Sequence, residues 1–211
     1  TEVGPRLAGS AAEARAREWA VKRLAVLGLE PIRIMDFEMS AWQRHSEQAE
    51  VIMPFPQPLA VTALGGSVST PAGGLTGEVV LFDSLEALRA APPEEVAGKI
   101  VYVGHTMQRT QDGSSYGYFN PVRTAGPSIA AGKGALAYLL RSIGTDSHRL
   151  PHTGSLRYTE HAPQIPALAL SNPDADQVER ILADGGGLVV KLLVETSLIP
   201  NAQSANVIAE I

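Results

Sequence analysis

Three histidines, His148, His152 and His161, lie close together in the chain and are the first residues that could carry chemistry. Imidazole nitrogens are common zinc ligands, and a spacing of four residues would place His148 and His152 on one face of a helix. Pro151 lies between these two histidines and Gly154 follows them, which disfavours a helix there. A closed zinc site needs about four ligands of fixed geometry. We therefore predict a loop with solvated histidines and assign no metal site to it.

The Gly132-Lys133-Gly134 segment resembles a phosphate-binding loop only in composition. A phosphate loop lies between a strand and the start of a helix, where free backbone N–H groups face the anion. Here the predicted order is reversed, because a short helix ends near Gly134 and an apolar strand follows. The glycines are predicted to end that helix in a left-handed turn.

No catalytic residue is predicted. Serine, histidine and aspartate all occur, but no serine stands in a Gly-x-Ser-x-Gly elbow. Glu94 and Glu95 follow two prolines, so they are predicted to form a solvated turn rather than a general acid and base.

The segment Pro151–Gly154 is instead a candidate for contact with a substrate or with another domain. It joins two apolar runs, Ala135–Leu140 and Ile165–Leu170, which are predicted to be buried strands that hold the loop in place. A turn that serves only its own hydrogen bonds is the alternative interpretation of this segment. The contact candidates come from this loop and from the region before it: His152, Thr153, Tyr116 and Arg123.

The elements around this loop predict a mixed α and β fold, of the α+β type. Ser10 and Glu13 form a capping box that begins an amphipathic helix, and Gly28 ends it. The apolar face of this helix contains Trp19, Leu24 and Leu27 and must pack on another element. A short helix capped by Asp83 or Ser84 is predicted to run through Arg89. Another helix is predicted from Pro173 to Ala183, because Ser171-Asn172-Pro173-Asp174 supplies a capping side chain and a proline at the first helical position. The strands are predicted over Pro31–Trp42, Ala49–Met53, Leu59–Leu64, Glu78–Phe82, Lys99–Val103, Ala135–Leu140, Ile165–Leu170, Leu188–Leu193 and Asn206–Ile211.

Three connections complete this prediction. Arg44–Glu47 is predicted to be a turn, so that Ala49–Met53 returns as the second arm of a hairpin with Pro31–Trp42. The prolines at positions 54, 56 and 58 exclude a regular central strand and favour a domain boundary there. Met107–Asn120 is predicted to be a long polar and aromatic surface loop.

Composition excludes several classes of function. The chain has 211 residues, a formal net charge of -5, 45% apolar residues and no cysteine. Such a charge gives no basic face for nucleic acid, and no apolar run approaches the roughly 18 residues that a membrane span needs. Without cysteine, disulfides and thiolate metal sites are excluded. Because the last predicted strand reaches the final residue, we expect the sequence to be part of a longer protein.

An ordered set of motifs resembles the secreted di-zinc exopeptidases, the family that includes carboxypeptidase Q and bacterial zinc aminopeptidases. The opening Gly4-Pro5-Arg6-Leu7-Ala8-Gly9-Ser10 and the helix after it resemble the start of that family. The later matches run in order along the chain: Gly98–Val101, Arg123–Gly126, Gly132–Ser142, Pro151–Gly154, Ile165–Pro166 and Asn206–Ile211. Each motif is weak alone, but the ordered set is specific.

The resemblance implies a domain organisation. Residues 1–56 would be the amino-terminal helix and hairpin of the peptidase domain, residues 57–198 a protease-associated (PA) domain of the swivelling β/β/α type, and residues 199–211 a returning peptidase strand. In this family the zinc ligands begin shortly after that strand with a His-x-Asp. The resemblance therefore implies no metal ligand in this chain and two zinc ions in the full-length parent.

Two classes of function follow. In the first, the chain is a non-catalytic portion of a zinc exopeptidase that shapes substrate access or domain contacts. In the second, it is a stand-alone PA-type module that binds a peptide or protein. The implied partners are a peptide substrate and the missing peptidase domain, with a homodimer as a further expectation and no nucleic acid or membrane. The resemblance implies a secreted or periplasmic location.

Overall fold

The computed structural model describes residues 3–210, which form six helices and an eight-stranded sheet. The helices are α1 (Ala11–Val26), α2 (Leu85–Ala90), α3 (Pro93–Val96), α4 (Ser114–Thr124), α5 (Gly126–Gly132) and α6 (Asn172–Ala183). The strands are β1 (Ile32–Met53), β2 (Gln57–Leu59), β3 (Val61–Ala63), β4 (Leu75–Phe82), β5 (Ile100–Val103), β6 (Ala137–Arg141), β7 (Ala167–Leu170) and β8 (Val189–Ala209). None of the helices in the described part of the chain is long and apolar enough to span a membrane. The predicted mixed α and β class is confirmed.

The sheet has the order β2-β1-β8-β4-β5-β6-β7-β3. Its centre is parallel, since β4 pairs with β5, β5 with β6 and β6 with β7 in that orientation. The flanking pairs are antiparallel, with β8 beside β4 and β3 beside β7. Every residue of β5, β6 and β7 is buried, as their continuous apolar runs predict for strands covered on both faces.

Helix boundaries follow the predicted capping residues. The Ser10 hydroxyl accepts a hydrogen bond from the Glu13 N–H, and the Glu13 carboxylate accepts one from the Gly9 N–H, so the capping box begins α1. Ser84 caps α2 and Ser171 caps α6 in the same way. The turn between α5 and β6 contains Gly134 with a φ of 83°, the predicted left-handed conformation.

The described residues divide into two compact units. The first contains the chain up to Gln43 and again from Ser197 onward, and the second runs from Arg44 to Thr196. The second unit contains the buried core, built on β5, β6 and β7 with α2 and α5. In the first unit, the Ser204 hydroxyl donates to the Glu13 carboxylate at 3.3 Å, so α1 lies beside β8 there.

Two predicted hairpin elements were wrong. The residues from Arg44 to Glu47 do not turn, and β1 continues through them to Met53. Ala49–Val51 pairs instead with Gln57–Leu59 of β2, across the proline-containing turn. Pro58 lies in this edge strand, where the absence of an N–H group is tolerated. The predicted strand over residues 59–64 is likewise divided between β2 and β3, which pair with different neighbours.

The two ends of the described chain pair as predicted, since β1 and β8 are neighbours in the sheet. The Gln203 amide donates to the Glu38 carboxylate at 2.8 Å, and Arg33 forms an ion pair with Glu210. Ile211, the last residue of the predicted strand, lies outside the described residues. The prediction of two separate strands, over residues 188–193 and 206–211, was wrong. One continuous strand, β8, runs from Val189 to Ala209.

The predicted apolar face of α1 is not buried. Trp19 and Leu27 are exposed by 61% and 58%, and Leu24 is only partly buried. The side chains of α1 that line a shallow groove with Ile34 of β1 include Ala14 and Val21 instead. No side chain of α1 is fully buried, so the expectation that Trp19, Leu24 and Leu27 are buried was wrong.

Candidate functional site

A cluster of polar side chains on α4 and on the loop after β6 forms the candidate site in the second unit. The segment predicted as a surface loop over Met107–Asn120 contains the first part of α4, so that prediction was wrong for its second half. Gly113, with a φ of 69°, precedes the helix, and the Asp112 carboxylate accepts a hydrogen bond from the Ser114 N–H at 3.0 Å. Gly117 and Pro121 weaken the helix signal in the sequence.

The structure brings together three of the four predicted contact residues. The Tyr116 hydroxyl lies 3.0 Å from His152 Nε2, and the two rings meet edge to face with centroids 5.6 Å apart. Arg123 Nη1 donates to the same hydroxyl at 2.8 Å. Arg123, Tyr116 and His152 thus form one hydrogen-bonded chain that meets at the Tyr116 hydroxyl.

Asn120 completes this cluster, and sequence reasoning missed it. Its Oδ1 accepts a hydrogen bond from Arg123 Nη2 at 2.6 Å. Tyr116, Asn120 and Arg123 are separated by four and three residues, which is the spacing of one face of a helix. This spacing could have identified the set if α4 had been predicted.

The loop that presents His152 is fixed by backbone hydrogen bonds. The His152 N–H donates to the Ser142 hydroxyl at 2.8 Å, and that hydroxyl lies 2.6 Å from the Leu170 carbonyl, to which it donates. The Gly65 N–H donates to the Gly154 carbonyl at 2.8 Å. The imidazole of His152 is thus held on a rigid support, the ends of β6 and β7, while its ring remains exposed.

Thr153 lies outside the cluster. Its hydroxyl contacts the carbonyl oxygens of Ala63 and Gly154 at 3.3 and 3.4 Å, so it contributes to the turn itself. The neighbouring Gly154 packs directly under Arg123, and a Cβ atom there would lie 2.6 Å from Arg123 Cζ. A side chain at position 154 would therefore displace the Arg123 guanidinium from its present place.

The other two loop histidines do not join His152. His148 Nδ1 lies 3.3 Å from an Asp146 oxygen and accepts a hydrogen bond from the Leu150 N–H, and His161 is exposed. Within residues 3–210, no group of three or more histidine, cysteine or acidic side chains could hold a metal ion. Zinc therefore does not fit the described side chains.

An ionic network between the buried Arg141 and two acidic residues of α6 is a second feature that sequence reasoning missed. Arg141, at the end of β6, donates to Glu179 Oε2 and to Asp176 Oδ1, both at 2.7 Å. The Tyr102 hydroxyl donates to Glu179 Oε1 at 2.6 Å, and burial together with the adjacent Glu179 charge raises the pKa of Tyr102 well above its usual value. This network joins α6 to the sheet. The sequence signal for it was Arg141, a charged residue at the end of an otherwise apolar strand.

His105 is also buried, at the carboxyl end of β5. Its ring stacks on Phe119 of α4 with centroids 4.7 Å apart. Burial lowers the pKa of His105 to about 4, and the nearby Arg141 charge acts in the same direction. The imidazole therefore remains neutral at pH 7 and behaves as part of the packing between β5 and α4.

Several known proteins resemble the chain. Carboxypeptidase Q from Bos taurus is 34% identical over 209 residues, which are 99% of this chain and 43% of that protein. Carboxypeptidase Q from Homo sapiens is 33% identical with the same coverage. A solved peptidase M28 precursor from Shewanella amazonensis SB2B is 42% identical, with a TM-score of 0.92 over 99% of this chain and 47% of its own. No protein-family model matches the chain.

A zinc aminopeptidase from Bacillus subtilis shares the fold, with a TM-score of 0.66, 18% identity and coverage of 99% of this chain and 43% of its own. The chain is homologous over nearly its whole length to carboxypeptidase Q and to a peptidase M28 structure, and it spans less than half of each relative. The predicted similarity to zinc exopeptidases is thereby confirmed, and the PA type of the domain stays a prediction.

Proposed function

We propose that this chain is a non-catalytic portion of a zinc-dependent exopeptidase and that its second unit is a PA domain that shapes access of peptides to the active site. The observation that carries the proposal is its similarity to the peptidase M28 precursor, at 42% identity over 99% of this chain but only 47% of that protein. A region of that size can support a catalytic domain without containing its metal ligands.

The chemistry of the described side chains supports a non-catalytic role. They contain no cluster able to hold a metal ion, and a zinc hydrolase needs a held metal with an open coordination position. On this proposal the zinc ions, which would activate water for peptide hydrolysis, bind to the rest of the full-length protein. Within this chain, Tyr116, His152 and Arg123 are proposed to contact the peptide or the peptidase domain.

The two compact units support a two-part organisation. We propose residues 1–56 and 199–211 as parts of the peptidase domain and residues 57–198 as the PA domain. The second compact unit begins at Arg44 and ends at Thr196. It therefore begins earlier in the chain than the proposed PA domain, which starts at residue 57. The proposed boundary is the one at the proline-containing turn after β1.

The first unit leaves many large apolar side chains in contact with solvent. Eight exposed examples lie in it: Leu7, Trp19, Val26, Leu27, Ile34, Met35, Phe37 and Leu198. Large exposed apolar surfaces commonly mark interfaces. We propose that these side chains pack on the remainder of the peptidase domain and that a homodimer forms through them when that remainder is absent. A secreted or periplasmic location belongs to the same proposal.

The gene and its full-length product test the proposal. We expect a His-x-Asp to be encoded soon after Ile211 and the purified full-length protein to contain two zinc ions per chain by elemental analysis. The 211-residue chain should contain none under the same conditions. A full-length product without that motif and without zinc would contradict the proposal.

A stand-alone PA-type binding module is the second candidate function, and an arginine-lined cleft beside Tyr116 favours it. The two candidates differ in what the isolated chain does. A module binds its ligand with these residues and needs no catalytic half, whereas an accessory portion of a peptidase belongs to a longer chain whose carboxy-terminal half supplies a His-x-Asp and cleaves peptides.

A further inference from the structure

A polar cleft of about 360 Å³ adjoins the cluster at Tyr116 and lies wholly within the second unit. Its lining consists of two arginines and three neutral polar residues: Asn120, Arg123, Thr124, Ser155 and Arg157. No acidic side chain lines it. Two like charges that share a cleft without a counter-charge produce a positive local potential that attracts anions.

The charge of Arg123 is not compensated by the protein. Its two terminal nitrogens donate to neutral oxygens, Tyr116 Oη and Asn120 Oδ1, and its Nε is buried without a hydrogen-bond partner. Among residues 3–210, no carboxylate forms an ion pair with Arg123 or with Arg157, whereas Arg141 and Arg149 are each paired with acidic residues.

The Arg123 side chain and the backbone of Arg157 are held in place before any ligand binds. Arg123 is held by Tyr116 and Asn120 and packs on Gly154. The backbone of Arg157 is held on both sides, since its N–H donates to the Thr124 carbonyl at 3.2 Å and its carbonyl accepts from the Ser128 hydroxyl at 3.3 Å. Because the Arg123 side chain is already ordered, it loses little entropy when it binds a ligand.

We propose that this cleft binds the carboxylate group of a small peptide ligand. The planar guanidinium group of arginine matches the geometry of a carboxylate and forms charge-assisted hydrogen bonds with it. The amide of Asn120 and the hydroxyl of Ser155 supply neutral donors at the same cleft. The carboxylate is that of a peptide carboxyl terminus or of an acidic side chain, because both present the same group.

The test is an NMR titration of the 211-residue chain with three small probes at low ionic strength. N-acetyl-Ala-Ala carries a terminal carboxylate, its carboxamide carries no carboxylate, and N-acetyl-Glu-amide carries only a side-chain carboxylate. We expect saturable binding of N-acetyl-Ala-Ala and affinity at least about tenfold lower for its carboxamide. Binding of N-acetyl-Glu-amide would show that acidic side chains are accepted, and its absence would show that the site selects a terminus.

Matched arginine variants localise the binding. R157Q should lower the affinity for N-acetyl-Ala-Ala about tenfold, whereas R180Q, which removes an exposed charge from α6, should leave it unchanged. R123Q should also lower the affinity. If R123Q does not fold, R157Q still decides, because the Arg157 side chain is exposed and its removal leaves the core intact.

Three results would overturn the proposal: no saturable binding of N-acetyl-Ala-Ala, equal affinity for the acid and its carboxamide, or wild-type affinity in R157Q. The titration uses no catalytic activity and no metal. Its failure would therefore leave the proposed place of this chain in a zinc exopeptidase unaffected, and failure of that function would leave carboxylate binding by this cleft unaffected.

Discussion

Tyr116 Oη lies 3.0 Å from His152 Nε2, and this contact links α4 to the loop that follows β6. The two residues are far apart in the sequence, so the pairing depends on the parallel arrangement of β5 and β6, which brings the carboxyl ends of both strands to one edge of the sheet. Arg123 donates to the same hydroxyl, and the three side chains form one hydrogen-bonded chain.

His152→Ala in the full-length enzyme should reduce kcat/KM about tenfold while lowering the free energy of unfolding by less than ~1 kcal/mol. The imidazole is exposed and joins the cluster by one hydrogen bond, so its loss affects contacts at the surface more than the core. Steady-state kinetics and thermal unfolding measure the two effects. His161→Ala, another exposed loop histidine, is the matched control and should change neither. Unchanged kinetics with a lowered Tm for His152→Ala would favour a turn with no contact role.

Gly134→Val should destabilise the second unit by at least ~1 kcal/mol. Gly134 has a φ of 83°, and an added Cβ would lie 3.3 Å from Ala97 Cβ. Gly132→Val is the control, because Gly132 has no neighbouring atom within 4 Å of the added Cβ and does not adopt a positive φ. Urea unfolding of both variants makes the comparison. Equal stability of the two variants would show that the left-handed turn is not what requires glycine at position 134.

The stability of the chain should decrease as the pH falls from about 6.5 to about 4, in part because of His105. Burial lowers the pKa of His105 to about 4, so the unfolded state binds its proton over this range while the folded state does not. Stability therefore rises with pH across the window and is fully present above it. The contribution is on the order of 3 kcal/mol for a shift of this size.

Denaturant unfolding at several pH values measures this effect. H105Q removes the titrating group, so the free energy of unfolding should depend less steeply on pH between about 4 and 6.5 than in the wild type. H161Q removes an exposed histidine and should retain the wild-type slope. An identical slope in H105Q and the wild type would show that folding does not lower the pKa of His105.

The isolated 211-residue chain should self-associate through its first unit. Trp19 is exposed by 61%, and burying a side chain of this size contributes roughly 1.5–3 kcal/mol. Sedimentation velocity should show a sedimentation coefficient that increases with concentration, and Trp19→Glu should reduce the increase. Phe55→Glu changes an exposed aromatic side chain of the second unit and serves as the control. A monomer at all concentrations would contradict the proposed interface.

The central fold could be predicted because its signals are local. The apolar runs of β6 and β7, the serine caps of α1, α2 and α6, and the glycine after α5 each specify an element through the residues within it. The prediction divided β1 into two strands because the polar residues Arg44–Glu47 resemble a turn. In the structure these residues continue β1, and Arg44 donates to the Ala63 carbonyl at 2.7 Å.

The candidate site was predictable only in part. Tyr116, His152 and Arg123 were identified as separate contact candidates, but their hydrogen bonds depend on α4, whose Gly117 and Pro121 conceal its helical pattern. Asn120 and Arg157 were missed for the same reason, since nothing local to them indicates a shared cleft. Tertiary contacts between α4 and the loop after β6 determine this part of the molecule.

Zinc-dependent dipeptide hydrolysis, measured side by side for the full-length protein and for the 211-residue chain, tests the central claim most directly. We expect the full-length protein to cleave dipeptides in the presence of zinc and to lose activity with a chelator. The 211-residue chain should show no cleavage above background at the same zinc concentration, because its described residues contain no group able to hold the metal. Cleavage by the purified 211-residue chain that zinc supports and a chelator abolishes would contradict the account.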